Sequence, residues 1–218
     1  MSGAEASQNS DRRLPSRMFA QVDSAAALGE SQRQMLEAIL PRHAFTLMMP
    51  MGADAGGLRP LHQPFRITIH HDGLPTPWTN PNERATAVYL ERIRQFHVQP
   101  PPEGRGWADI GYHFAVDVAG RVWQLRSLEW QGAHVKGANE GNIGIVALGN
   151  FDLTAPSAQQ LSSLELFTDL LCCGYHIGWN NVYMHGELAA NATSCPGTYL
   201  ADCLRQLRAR RLADTANA

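Results

Sequence analysis

Apolar and polar positions alternate most strictly in FRITIH, residues 65–70, where Phe65, Ile67 and Ile69 share one face and Arg66, Thr68 and His70 the other. That period of two predicts a strand, with His70 at its end, opposite the apolar residues. ERATAVYLERIRQFHV instead spaces Tyr89, Ile93 and Phe96 at helical intervals. GYHFAVDV and RVWQL, joined across Ala119-Gly120, read as a hairpin. NIGIVALG is a near-continuous apolar run, as expected of a central strand covered on both faces. SAQQLSSLELFTDLLCC, between Pro156 and Gly174, reads as an amphipathic helix. NVYMH is then a short strand ending at His185, and TYLADCLRQLRARR a closing helix.

Upstream, SQRQMLEAIL predicts one short helix, with Ser31 and Gln34 spaced as a capping box and Pro41 closing it. The first 30 or so residues are polar and rich in Ala and Ser, and read as a disordered tail. Residues 1–60 are thus expected to be an extension, partly disordered with one short helix, and residues 61–213 the domain proper. Intermixed strands and helices without internal repeats predict an α/β fold: a single domain with a central mixed β-sheet flanked by helices.

Composition narrows the function classes. A chain of 218 residues with 44% apolar and 17% charged residues is globular in character. Its net charge of −2 argues against an electrostatic grip on nucleic acid. No apolar run approaches the roughly 20 residues that span a bilayer. The N-terminal stretch has no uninterrupted apolar core of an export signal, so the sequence assigns no compartment. A monomer is expected.

Four cysteines, all in the last quarter, are too few and too clustered for a disulfide scaffold. Cys172 and Cys173 end a helical run and Cys203 lies beside Leu200, Leu204 and Leu207, so these three read as small buried hydrophobes. A bridge from Cys172 or Cys173 to Cys203 stays open. Cys195 has no apolar periodicity around it. With His70 and His185, each at a predicted strand end, it makes three potential zinc ligands, and a catalytic zinc site leaves its fourth position to water. Two hydrogen-bonded histidines and a buried thiol would satisfy the same spacing. HGE followed by CP suggests a zinc deaminase only faintly, since Cys precedes Pro and no second Cys follows two positions on.

Four blocks in order, ITIHHDG, GWADIGYHFAVDVAGRVWQLR, QGAHVKGANEGNIGIVALGNFD and TSCPG, resemble the N-acetylmuramoyl-L-alanine amidase type 2 family over about residues 64–210. That family includes peptidoglycan recognition proteins and the phage T7 lysozyme type. The resemblance implies that His70, His185 and Cys195 bind Zn2+ and that Tyr112 is the catalytic hydroxyl. Thr193, two before the Cys, occupies an auxiliary catalytic position, and His134, Lys136 and Asn139 lie where the family lines its substrate groove. The implied reaction is hydrolysis of the amide between N-acetylmuramic acid and L-alanine in peptidoglycan. The alternative is a recognition module that binds peptidoglycan without cutting it.

The chain departs from the family chiefly in the stretch before the Cys. The family pattern H-R-D-x-x-P-T-x-C-P-G sets its His eight residues before the Cys, whereas His185 lies ten before Cys195, with Gly186-Glu187 in place of Arg-Asp. Strict counting puts Glu187 in the ligand slot. His185 is preferred, with the added residues falling in LAANA, where a loop tolerates them. Asn142 replaces a Ser common in the family, His71 is expected to pack beside the site, and His113 to be a hydrogen-bonded strand residue.

Overall fold

The computed structural model of the chain describes residues 28–51 and 57–216, so the tail read at the N-terminus lies outside them except for its end. In chain order the elements are α1 (Glu30–Glu37), β1 (Arg66–His71), α2 (Glu83–Val98), β2 (Phe114–Val116), β3 (Val122–Gln124), β4 (Asn142–Ala147), α3 (Ala158–Tyr175), β5 (Val182–Met184), α4 (His185–Leu188) and α5 (Thr198–Ala216). The strands form one sheet in the order β3-β2-β4-β1-β5. β2 and β3 are the expected antiparallel hairpin, while β4 runs parallel to β2 and to β1, and β1 parallel to β5. The α/β class with a mixed central sheet is therefore realised.

Apolar residues on the two faces of this sheet build two cores. Ile67, Ile69, Ile143 and Ile145 pack against Leu164, Phe167 and Leu171 of α3 and Leu200 and Leu204 of α5. On the other face Val146 joins Tyr89 and Leu90 of α2, with Ile110, Trp123 and Leu125. Every residue of β4 is buried, which is why its sequence does not alternate. Truncating one of these isoleucines to Ala is expected to cost about 2–5 kcal/mol through lost burial and a residual cavity.

Several element ends differ from their sequence reading for identifiable reasons. The cap of α1 is Gly29, whose N–H donates to the Gln32 side chain at 2.9 Å. Ser31 and Gln34 therefore lie inside the helix, and Gln34 donates to Glu30 at 2.9 Å instead. α3 continues through Gly174, which is buried, and stops at His176, held in the left-handed region with φ 55°. Phe96 turns to solvent on α2 and is covered by the Arg105 guanidinium, while Thr86, Tyr89, Leu90, Arg94 and His97 face inward. The bridge left open does not form: Cys172, Cys173 and Cys203 are free thiols.

The topology fixes where chemistry can gather. β1, β4 and β5 point the same way, so their C-terminal ends share one edge of the sheet, the usual place for a site in such sheets. Ile69 pairs in register with Met184, so the next residues, His70 and His185, come side by side. β5 ends at Met184, and His185 is the first residue of α4 rather than the last of a strand.

Candidate metal centre

His70 is 1% exposed and shares the α2-side face of β1 with Thr68. Its Nδ1 lies 3.8 Å from Cys195 Sγ, close to the ~3.6 Å that a tetrahedral zinc sets between nitrogen and sulfur ligands. The His185 ring centroid is 4.5 Å from that of His70. One ligand atom each from His70, His185 and Cys195 lie within 4.8 Å of one another, a group able to hold a metal ion. Glu187 is elsewhere. Its carboxylate accepts from Met184 N at 2.8 Å, capping α4, and pairs with Arg208 at 2.5 Å.

The fit of this group to a cation rests on where its protons sit. His134 Nε2 lies 3.2 Å from the Asn142 carbonyl oxygen, which can only accept, so that nitrogen carries a hydrogen. His134 Nδ1 is then a lone pair, and it lies 3.0 Å from His70 Nε2, which must be the donor. His70 is left with a bare Nδ1 turned toward Cys195. This is the tautomer a metal requires, fixed by a neighbour's hydrogen bond.

Burial also holds His70 and His134 well below the ordinary imidazole range, reinforced by the neighbouring imidazoles, so both rings stay neutral at pH 7. Burial lowers His185 as well. The Cys195 thiol is pushed up to about 12, chiefly by burial, with the Asp152 and Asp72 carboxylates adding to it. A divalent cation supplies the opposing field, and thiolates form at such ions.

Glycines make room for this arrangement. A Cβ on Gly144 would stand 2.6 Å from the His134 ring, and one on Gly132 2.5 Å from it. Of the three residues expected along a groove, Lys136 is exposed, but His134 and Asn139 are occupied within the protein. Asn139 Oδ1 accepts from the backbone N–H of His134 (2.9 Å) and Val135 (2.8 Å), shaping the turn that delivers the His134 ring. The inward packing of the GAHVKGAN stretch depends on the distant β4, whose Gly144 admits the His134 ring.

Tyr112 precedes β2, with its ring 5.2 Å from His70 and 5.8 Å from His97. Burial raises its pKa, so its hydroxyl remains a proton donor through neutral pH. Thr193 Oγ1 accepts from Cys195 N at 3.2 Å, which leaves its hydroxyl hydrogen available. His71 Nδ1 accepts from Phe151 N at 3.2 Å, and its carbonyl lies 3.9 Å from Cys195 Sγ. His113 spans from Gly144 N to the Trp130 carbonyl.

His97 is the residue the sequence reading passed over. It accepts from Gly111 N at 3.2 Å and packs between Trp107 and Tyr112, and burial lowers its pKa to about 4. Its signal was present: it continues the inward stripe of Tyr89, Leu90 and Arg94. Beyond Trp107 a cavity of about 280 Å³ is lined by Arg59, Trp107, Arg126 and Gln131, among others.

The added residues before Cys195 fall in an exposed loop at 189–194. Gly186 N donates to the Cys195 carbonyl at 2.9 Å, closing the loop at its base, so the extra length bulges outward.

A family model described as N-acetylmuramoyl-L-alanine amidase matches residues 60–198. Peptidoglycan-recognition protein SC2 of Drosophila melanogaster is 34% identical over 115 residues, which cover 52% of this chain and 59% of that one. An N-acetylmuramoyl-L-alanine amidase of Homo sapiens is 30% identical over 141 residues, 64% of this chain and 23% of that one. The chain thus spans less than two thirds of either relative. Among solved structures, the ectodomain complex of peptidoglycan recognition proteins LCa and LCx with tracheal cytotoxin aligns with a TM-score of 0.66 at 26% identity, over 78% of this chain and 95% of that one. The amidase LysC from Clostridium intestinale URNW aligns with a TM-score of 0.59 at 25% identity, over 78% and 96% of the two chains. With the family pattern matched across most of the sheet and through the Cys195 turn, this chain belongs to the N-acetylmuramoyl-L-alanine amidase family.

Proposed function

We propose that the chain is a zinc-dependent amidase that hydrolyses the bond between the lactyl group of N-acetylmuramic acid and the L-alanine of the peptidoglycan stem. The observation that carries this reading is the convergence of His70, His185 and Cys195, with the Tyr112 ring 5.2 Å from that of His70. Two neutral imidazoles and a thiol form a donor set suited to zinc, and three protein ligands would leave the fourth position of a tetrahedral site to solvent or substrate. When bound, zinc supplies Lewis acidity, acidifying water and polarising the scissile carbonyl.

The chain's own groups do the rest. His134 holds the His70 lone pair toward the centre through the hydrogen bond at His70 Nε2. Tyr112 donates a hydrogen bond to the carbonyl oxygen as negative charge develops on it, and burial keeps that proton in place. Thr193 keeps a hydroxyl hydrogen to orient the peptide beside Cys195. The solved complex of recognition proteins with tracheal cytotoxin supports a muropeptide as the ligand class.

Binding without cleavage is the rival reading, and digestion of purified peptidoglycan separates the two. Wild type should release new alanine amino termini without new reducing sugar ends, and chelator should stop it. Cys195→Ala and Tyr112→Phe should release few or none. A wild-type protein that binds peptidoglycan yet frees no amines with added zinc would make this a recognition module.

A further inference from the structure

We infer that Asp152 is a positioning residue that sets where Cys195 stands in the metal centre, an inference that rests on the reading of Cys195 as a ligand. Asp152 follows β4 in sequence, 43 positions before the cysteine, and closes the GNFD end of the block that carries β4 without being assigned a role there. Its carboxylate nevertheless grips both sides of the Cys195 turn. Oδ2 accepts from the Ser194 hydroxyl at 2.6 Å, and Oδ1 accepts from Thr198 N at 3.0 Å and the Thr198 hydroxyl at 3.3 Å. One partner stands immediately before Cys195 and the other three residues after it.

Asp152 is itself held. Its N–H donates to Asn150 Oδ1 at 3.1 Å, and the Asn150 amide donates to the Leu74 carbonyl at 3.0 Å, in the loop that follows β1. The thiol's turn is thereby tied to the strand that carries His70. Contact is close as well as polar. Gly197 has φ 88°, and a Cβ there would stand 2.5 Å from the Phe151 carbonyl carbon and 2.7 Å from Asp152 N. Tyr199 N adds a bond to the Phe151 carbonyl at 2.9 Å.

The need for such a clamp comes from the lengthened loop. Residues 189–194 are exposed or nearly so, and longer chain adds freedom to whatever it carries. A charged acceptor with three donors makes a strong anchor. It isolates Cys195 from the exposed length upstream, so extra residues can be tolerated without moving the sulfur.

Capping of α5, which begins at Thr198, is the competing role for the same carboxylate. Metal titration of the full chain distinguishes them. Apo protein is titrated with Co2+ while the sulfur-to-cobalt charge-transfer band is followed, and zinc affinity is read by competition with a chromophoric chelator. Asp152→Ala should bind zinc about 10–100-fold more weakly and show a reduced band per bound cobalt, as loss of a group supporting a ligand does. Ser194→Ala should move both readouts in the same direction by less. Asp152→Asn keeps an acceptor for Thr198 N and a partner for Ser194, and should recover most of the affinity.

Wild-type affinity and a full band in both Asp152→Ala and Ser194→Ala, whatever their melting temperatures, would reduce Asp152 to a helix cap and overturn the inference. Should Asp152→Ala fail to fold, the Ser194→Ala and Asp152→Asn pair decides by the same two readouts. A wild-type protein that binds cobalt with no sulfur band would remove Cys195 as a ligand, overturning the underlying reading and this one with it.

Discussion

His70 and Cys195 face each other across 3.8 Å, yet the two sides of the centre are held by different means. His70 stands on a central strand, with β4 and β5 on either side, its ring bonded to His134 and both histidines almost wholly buried. Cys195 stands on a turn between two helices, placed by a carboxylate clamp, one bond to Gly186 and a glycine that allows close approach. The sheet side is over-determined, so its parts tolerate little change. The loop side depends on a few polar contacts and accepts additional chain.

Substitution should expose this difference, most strongly at the ligand. His70→Ala should reduce both zinc binding and amide hydrolysis to background, while the fold, read by circular dichroism, persists because both apolar cores of the sheet are left intact. Retained stoichiometric zinc in that variant would show that the sheet side is dispensable.

Acid should weaken the sheet side before the loop side. His97 has a folded pKa of about 4, below its unfolded value near 6.5, so it contributes stability that is complete above pH 6.5. As pH falls through 6.5 the unfolded state takes up the proton first, and the contribution is gone near pH 4. The loss is on the order of 3 kcal/mol. His113, lowered to about 3 by burial, adds to it in the same sense. Chemical denaturation of wild type and His97→Asn at pH 7 and pH 4.5 measures this. The variant should be less stable at pH 7 but lose less between the two pH values, and parallel losses would exclude His97 as a source.

A methyl group should then show how tightly the sheet side is packed. Gly144→Ala drives a Cβ into the His134 ring, and should cost about 1–3 kcal/mol and weaken zinc binding together. The smallest effect belongs to the loop. Deleting two residues within 189–192 should change stability by less than about 0.5 kcal/mol and leave zinc affinity unchanged. A large loss of zinc from that deletion would mean that the loop's length, rather than its clamp, places the thiol.

Legibility in sequence follows the same division. The sheet side could be read from period alone, since FRITIH and NIGIVALG name their strands and the apolar run of β4 announces cover on both faces. His97 was less legible, because spacing alone chooses Phe96 for the inward stripe of α2 that His97 in fact occupies. What could not be read were partnerships across long separations. GAHVKGAN does not by itself say that the His134 ring enters the layer behind β1, because only one of the two glycines that admit it, Gly132, is local, and the other lies ten positions on in β4. Nothing near Asp152 points to Ser194. The loop defeated residue counting too: eight positions before Cys195 comes Glu187, which the fold turns toward Arg208.

One contact bears on how such a centre changes over time. The chain of protons from His70 through His134 ends on the main-chain oxygen of Asn142, not on its side chain. A peptide oxygen is supplied by every residue type, so the identity of residue 142 is decoupled from the protonation of the ligand. The Asn142 side chain is free to be selected for its local partners, Thr68 and the Ala138 carbonyl. The oxygen that ends this proton chain is thus present whatever residue stands at 142, so long as the strand keeps its path.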